Sequence, residues 1–170
     1  MDFSLSDDDL ALQQSVHDFV EEQANACWRD IDRTDVLPPA LLEAARGLGL
    51  FGLSIPAEYG GLALSVVQKA LVHEMLGRGP WGLASYISVH TGIGCVGIIR
   101  FASERQKRHY LPKMASGEWL GSFALTEPGA GSDAGNLQTR AERRGDGWVL
   151  TGHKTFITNA PHAHHFFVFA

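Results

Sequence analysis

The feature that most constrains what this chain can fold into is a change of hydrophobic period near Gly117, from helical spacing before it to strand spacing after it. Ser6 with Asp9 three residues on is a capping-box-like start, and Leu10, Leu12, Val16, Phe19 and Val20 then recur at helical spacing. Pro38 and Pro39 suit the first turn of a second helix that buries Leu41, Leu42 and Ala45 and stops near Gly49. Residues 62–78 and 82–100 read as two further apolar helices, the latter loosened by Gly92, Gly94 and Gly97. Ser103 and Gln106 form a capping box for a last helix that closes around 115–117. From Trp119 onward Val, Thr, Phe, Trp and Leu alternate with turn residues, and Gly145-Asp-Gly147 predicts a hairpin between strands at 137–143 and 148–151. The run 166–170 reads as an apolar strand in mid-sheet. The fold class expected is α+β, with an all-α domain over 1–118 and an incomplete β domain over 119–170.

Composition removes several functions. The chain has 14 basic and 19 acidic side chains, for a net charge of −5, and the basic residues are interspersed with acidic ones. A nucleic-acid backbone binder needs a concentrated basic patch, so no nucleic acid is expected. The acidic start, Met1 to Asp9, lacks the basic and apolar segments of a secretory or transit peptide. No apolar run is expected to reach the about 20 residues of a bilayer span. Cys27 and Cys95 are far apart and without metal spacing, which points to reduced structural thiols and a cytoplasmic location.

Two stretches carry chemistry. Phe123-Ala-Leu-Thr-Glu-Pro-Gly-Ala-Gly-Ser-Asp133 combines an extended lead-in, a Pro-Gly turn, a second glycine and a hydroxyl. Gly129 and Gly131 permit positive φ and close backbone approach, so successive N–H groups can form an anion nest to which Ser132 adds a donor. Residues of these types also make ordinary polar connections between elements, and both readings stand. The second stretch, Gly152-His-Lys-Thr-Phe-Ile-Thr-Asn159, follows after the expected hairpin.

The pair resembles the flavin-dependent acyl-CoA dehydrogenase family, whose motifs run approximately (F/Y)-x-(L/V)-(T/S)-E-P-x-x-G-S-D and G-x-K-x-(W/F)-I-T-N. The resemblance continues upstream through Phe101-Ala-Ser-Glu-Arg-Gln-Lys-Arg-His-Tyr-Leu-Pro-Lys-Met-Ala-Ser-Gly-Glu118 and Ile55-Pro-Ala-Glu-Tyr-Gly-Gly61. It implies an N-terminal helical domain, a β-barrel-like middle domain of which this chain has the first part, and a C-terminal helical domain absent from it. Family members run to more than twice this length, so the chain reads as a fragment or as one completed by a partner. The implied reaction is oxidation of the Cα–Cβ bond of an acyl-CoA thioester, with a carboxylate removing the α-proton and hydride leaving Cβ for FAD. That carboxylate is expected beyond Ala170, so no catalytic residue is assigned here.

The resemblance implies cofactor contacts at Phe123, Ala124, Leu125, Thr126, Gly131, Ser132, Phe156, Ile157 and Thr158. Backbone at Leu125 and Thr126, with the Thr126 hydroxyl, would face the pyrimidine edge of the flavin. Gly131 and Ser132 would meet the FAD pyrophosphate, with Ser132 shared with CoA, and Thr158 would donate near flavin N5. Phe156 stands where many members have Trp covering one ring face; a core aromatic of a strand is the other reading. Glu127 is implied as a loop-structuring residue. His90 and Thr91 would border the acyl pocket, against the alternative of plain helix packing. Also implied are a homotetramer and reoxidation by an electron-transferring flavoprotein.

His153, His162, His164 and His165 fall close together, but the H-x-H-H spacing matches no usual zinc pattern and solvated loop histidines account for it; no metal is expected. Three alternatives are carried. One is a flavoenzyme on the same scaffold acting on a carrier-protein-bound acyl group or a nitroalkane. Another is a non-catalytic subunit completing a partner chain, and the last is a helical protein with a phosphate nest and no flavin.

Overall fold

The computed structural model describes residues 4–170, so the first three residues of the acidic start lie outside the described part. Helix α1 spans Asp7–Phe19 and runs on through a π-type turn, Val20–Ala24, and a 3-10 turn to a short α2, Trp28–Thr34. Then come α3 (Pro39–Gly47), α4 (Val66–Leu76), α5 (Trp81–Val89), α6 (Cys95–Phe101) and α7 (Glu104–Ala115). Helix starts follow side-chain chemistry: Ser6, Ser65 and Ser103 each cap the N–H three residues on, and the residue there bonds back to the cap. Helix α3 uses a proline instead, whose missing N–H costs nothing in a first turn. The sequence pattern gave no separate sign of α2.

Val16, Phe19 and Val20 of the first helical run meet Leu41 and Ala45 of α3, Val72, Met75 and Leu76 of α4, and Leu83 and Ile87 of α5 in one core. Burying each such side chain is worth about 1.5–3 kcal/mol. Leu10, counted among the inward positions by period, is 48% exposed, and Leu42 only packs against the core's edge. A second cluster, Ile55, Tyr59, Cys95, Leu111 and Met114, holds α6 and α7 together. Burial pushes the Cys95 thiol up to about 12, so it is a packing residue.

The expectation that no apolar run reaches bilayer length is overturned. Trp81–Phe101 is 21 residues long and contains an 18-residue window of mean hydropathy 1.5, long and apolar enough to cross a membrane by length and composition. Its inner face is nonetheless built into the two cores, and it is not one straight helix. Between α5 and α6 it passes through a π-type segment, His90–Gly94, where Gly92 has non-helical backbone (φ −92°, ψ −106°).

The β part holds two pairs of strands. Strands β1 (Gly121–Ala124) and β4 (His165–Val168) run parallel, with Gly121 opposite His165 and Phe123 opposite Phe167. Strands β2 (Arg140–Arg144) and β3 (Gly147–Thr151) form the antiparallel hairpin that Gly145-Asp-Gly147 predicts. Of the two central turn residues only Gly145 has positive φ, +60°, as a type II′ turn requires. The β1–β4 pair sits on the π-type segment and α6, where the Phe167 ring occupies the space a side chain at Gly97 would fill.

Candidate functional site

The two motif stretches lie side by side, and one buried charge pair joins them. Glu127, 5% exposed, begins a tight turn in which it and Ala130 exchange backbone hydrogen bonds at 3.1 Å, with Pro128 and Gly129 at the centre. Its carboxylate accepts from the Gln138 N–H at 2.6 Å, the Thr139 N–H at 2.9 Å and the Thr139 hydroxyl. The Lys154 ammonium donates to the same carboxylate at 2.8 Å and to the Leu125 carbonyl at 2.8 Å. Beside it the Thr155 N–H donates to the Thr126 carbonyl at 2.9 Å. Gly152 lies so close to Thr139 that a side chain there would overlap it.

These contacts settle what Glu127 can do. The Lys154 ammonium, then the Thr139 hydroxyl and Gln138 N–H, outweigh burial and hold its carboxyl down at about 2. A carboxylate with that affinity for protons and this many donors is a weak base, so its part is structural. The loop-structuring role implied by resemblance has a physical cause.

Neither Gly129 nor Gly131 uses the positive φ open to it, so the Pro-Gly turn is not of type II. Space is still open over both, since a side chain at either glycine would meet nothing within 4 Å. Gly131 and Ser132 are exposed.

In the second stretch the backbone is strained at two non-glycine residues, Phe156 (φ +56°) and Asn159 (φ +69°). Asn159 is buried and donates through Nδ2 to the Tyr86 carbonyl on α5 at 3.0 Å. The Thr158 carbonyl accepts from the Ser122 hydroxyl at 2.5 Å. These anchors leave the Thr158 side chain at the surface and turn Phe156 fully outward, at 90% exposure. Among the described residues Phe156 is packed in no core. A planar ring held out in a strained conformation, one residue from the Thr155–Thr126 bond that joins the two loops, fits a flat aromatic ligand with a phosphate-bearing tail. FAD is such a ligand, and the residues present fit it.

The remaining candidates divide. Leu125, Thr126 and Ile157 are half-buried beside this surface. Ala124 is 5% exposed, and its carbonyl accepts from the Phe169 N–H, so it is sheet interior. Phe123 faces the helices, stacked on Phe167 (centroids 6.0 Å, planes 2° apart) and edge-on to Phe169. His90 and Thr91 turn inward, at 0% and 1% exposure. The Gly121 N–H donates to His90 Nδ1 at 3.0 Å, so Nε2 carries the proton and donates to the Met114 carbonyl, also at 3.0 Å. The Thr91 hydroxyl donates to the Ile87 carbonyl. With both residues saturated inside the chain, packing replaces the expected substrate contact. Of the histidine group, His165 donates to the Gly94 carbonyl and His164 accepts from the Leu120 N–H, while His153 and His162 are exposed. Lys154, Thr139 and Ser122 were not singled out from the sequence. Lys154 stands inside a quoted motif, but its acidic partner is 27 residues away and no local spacing rule pairs them.

The chain is a helical part followed by a short sheet whose two motif loops are joined by Glu127 and Lys154. The family model for the acyl-CoA dehydrogenase N-terminal domain matches residues 6–118, and that for the middle domain matches 122–170. The chain belongs to the acyl-CoA dehydrogenase family. It is 36% identical over 166 residues to an acyl-CoA dehydrogenase of Bacillus subtilis, covering 98% of this chain and 44% of that protein. It is 37% identical over 159 residues to the human mitochondrial short-chain specific acyl-CoA dehydrogenase, covering 94% and 39%. Among solved structures, butyryl-CoA dehydrogenase from Megasphaera elsdenii superposes with a TM-score of 0.92 at 33% identity, over 100% of this chain and 45% of that one. An acyl-CoA dehydrogenase from Bacillus anthracis complexed with FAD gives 0.87 at 37%, over 98% and 29%. The chain thus spans less than half the length of these relatives.

Proposed function

We propose that these residues form the helical and first flavin-contacting parts of an FAD-dependent acyl-CoA dehydrogenase, which converts an acyl-CoA thioester to the trans-2-enoyl-CoA and passes its electrons to an electron-transferring flavoprotein. The observation that carries the proposal is the pairing of Phe156 and Thr158, held outward, with the open backbone at Gly131 and Ser132, all on loops joined by Glu127 and Lys154. Bound FAD supplies the hydride acceptor. Phe156 would cover one ring face and keep water from it, with less area than an indole would offer. The exposed Thr158 would offer its hydroxyl to the ring, and the backbone at exposed Gly131 and Ser132 would bind phosphate oxygens. Glu127, held at about 2 with its oxygens already engaged by Lys154, Thr139 and Gln138, is too weak a base to take the α-proton, and the resemblance assigns that step to a carboxylate outside residues 1–170. The unpaired thiols of Cys27 and Cys95 support a cytoplasmic setting, and a tetramer is part of the proposal.

The test is anaerobic addition of short- and medium-chain acyl-CoA to the purified holoprotein. Loss of the oxidised flavin absorbance with formation of enoyl-CoA is expected. A preparation that binds no FAD, or holds FAD that no acyl-CoA reduces, overturns the proposal.

A further inference from the structure

We propose that Lys154 and Glu127 act as the positioning pair of the cofactor site: together they fix the spacing between the first motif's backbone and the second motif's ring and hydroxyl. The proposal rests on the flavin reading above and adds to it residues that touch no ligand themselves.

Three segments converge on the pair. Glu127 lies in the chain that leaves β1, and its carboxylate receives the N–H groups of Gln138 and Thr139, so a single side chain closes both ends of the excursion that carries Gly131 and Ser132. Lys154 then ties that closure to the Leu125 carbonyl. Because Lys154 immediately precedes Thr155, whose N–H meets the Thr126 carbonyl, the ammonium also sets where the strained Phe156 begins. The side chains of Lys154 and Glu127 are 12% and 4% exposed, so water cannot substitute for either partner. Exposed ion pairs elsewhere, such as Arg33 with Asp30 in α2 and Arg144 with Glu142 in β2, join residues at most four apart and register no separate segments.

A buried pair is weak support for net stability, because desolvating two charges offsets much of their attraction; its attested use is to specify one arrangement over others. That distinction makes the proposal testable. Lys154→Met alone strands a buried carboxylate and can fail to fold. Glu127→Gln combined with Lys154→Met leaves no orphan charge, so it carries the decision. The double variant is expected to unfold within a few degrees of the parent yet bind FAD at least about tenfold more weakly, a difference of about 1.4 kcal/mol. Its Thr155 amide is also expected to exchange faster in the FAD-free protein, and its flavin potential to shift. Lys154→Arg, which retains the charge, should recover most of the affinity. Parental affinity, potential and Thr155 protection in the double variant would overturn the proposal. So would a double variant that does not fold, since the pair would then hold the fold rather than register the loops. If the parent protein binds no FAD, the flavin reading fails on its own, and the Thr155 exchange rate still decides whether the brace exists.

Discussion

The two strand pairs of this chain are stabilised in opposite ways. The β1–β4 pair is short but wired into the helices: His90 bridges Met114 and Gly121, His165 donates to Gly94, and Phe167 lies on Gly97. The β2–β3 hairpin is longer and better paired, yet every one of its residues is exposed, Trp148 and Leu150 at 68% and 55%. Ladder hydrogen bonds alone therefore say little about which strands the fold depends on. What separates the pairs is whether side chains reach a second layer, since an isolated hairpin is marginal in water. The hairpin's link to the rest is at its base, where Thr139 meets Glu127.

The sharpest way to break this comparison is at His90. His90→Ala removes a ring that serves one buried N–H and one carbonyl, and stranding each costs about 1–3 kcal/mol, with a cavity cost added. We expect a larger loss of stability than from any change in the hairpin or at Phe156, read as a fall in the denaturant midpoint. A change under about 0.5 kcal/mol would mean the junction is not a stabilising contact.

The same ring makes an acid prediction with a definite sign. Burial lowers His90 from 6.5 to about 4, so the unfolded chain binds its proton first and stability falls as pH drops from 6.5 toward 4. Glu127, lowered from 4.5 to about 2, contributes stability that is present above 4.5 and is lost as pH falls from there toward 2. Two successive losses are expected on acid titration monitored by circular dichroism. In His90→Gln the upper one should shrink, leaving what His73 and His165 contribute, since burial lowers both; an undiminished loss would assign it to those two.

How much of this was legible beforehand follows from the range of each interaction. Caps at Ser6 and Ser103, the hairpin turn and the helix-to-strand change are set within a few residues, and the sequence shows them. The flavin-facing stretches were legible as motifs. The inward turn of His90 was not, because its partners are 24 and 31 residues away, and helical period alone cannot say which face a kinked, nearly all-apolar helix presents. The turn type at Gly129 was open for a similar reason: glycine permits positive φ without requiring it, and the bonds between Glu127 and Ala130 select a turn that does not use it.

The hairpin offers a smaller test. Gly145→Ala places a side chain at φ +60°, at a cost of about 1–2 kcal/mol. Because the hairpin strands are exposed throughout among the described residues, that cost should appear as faster hydrogen exchange at the β2–β3 amides and leave the global midpoint nearly unchanged. A midpoint that falls by the full amount would show that the hairpin folds cooperatively with the β1–β4 junction, and the contrast between the pairs would fail.

The smallest expected effect on folding is at Phe156. The ring is 90% exposed, so its removal takes little from the core, and the left-handed backbone beneath it is one that glycine adopts freely. Phe156→Gly should therefore leave the stability of the FAD-free protein within about 0.5 kcal/mol, as relief of strain offsets added freedom in the unfolded chain. Its effect on the cofactor is a separate quantity. A lost ring stack is worth about 0.5–1.5 kcal/mol, so FAD affinity should drop by roughly two- to twelvefold. If instead the FAD-free protein is strongly destabilised while FAD affinity is unchanged, Phe156 holds the loop rather than the flavin, and the surface built around it needs another ligand.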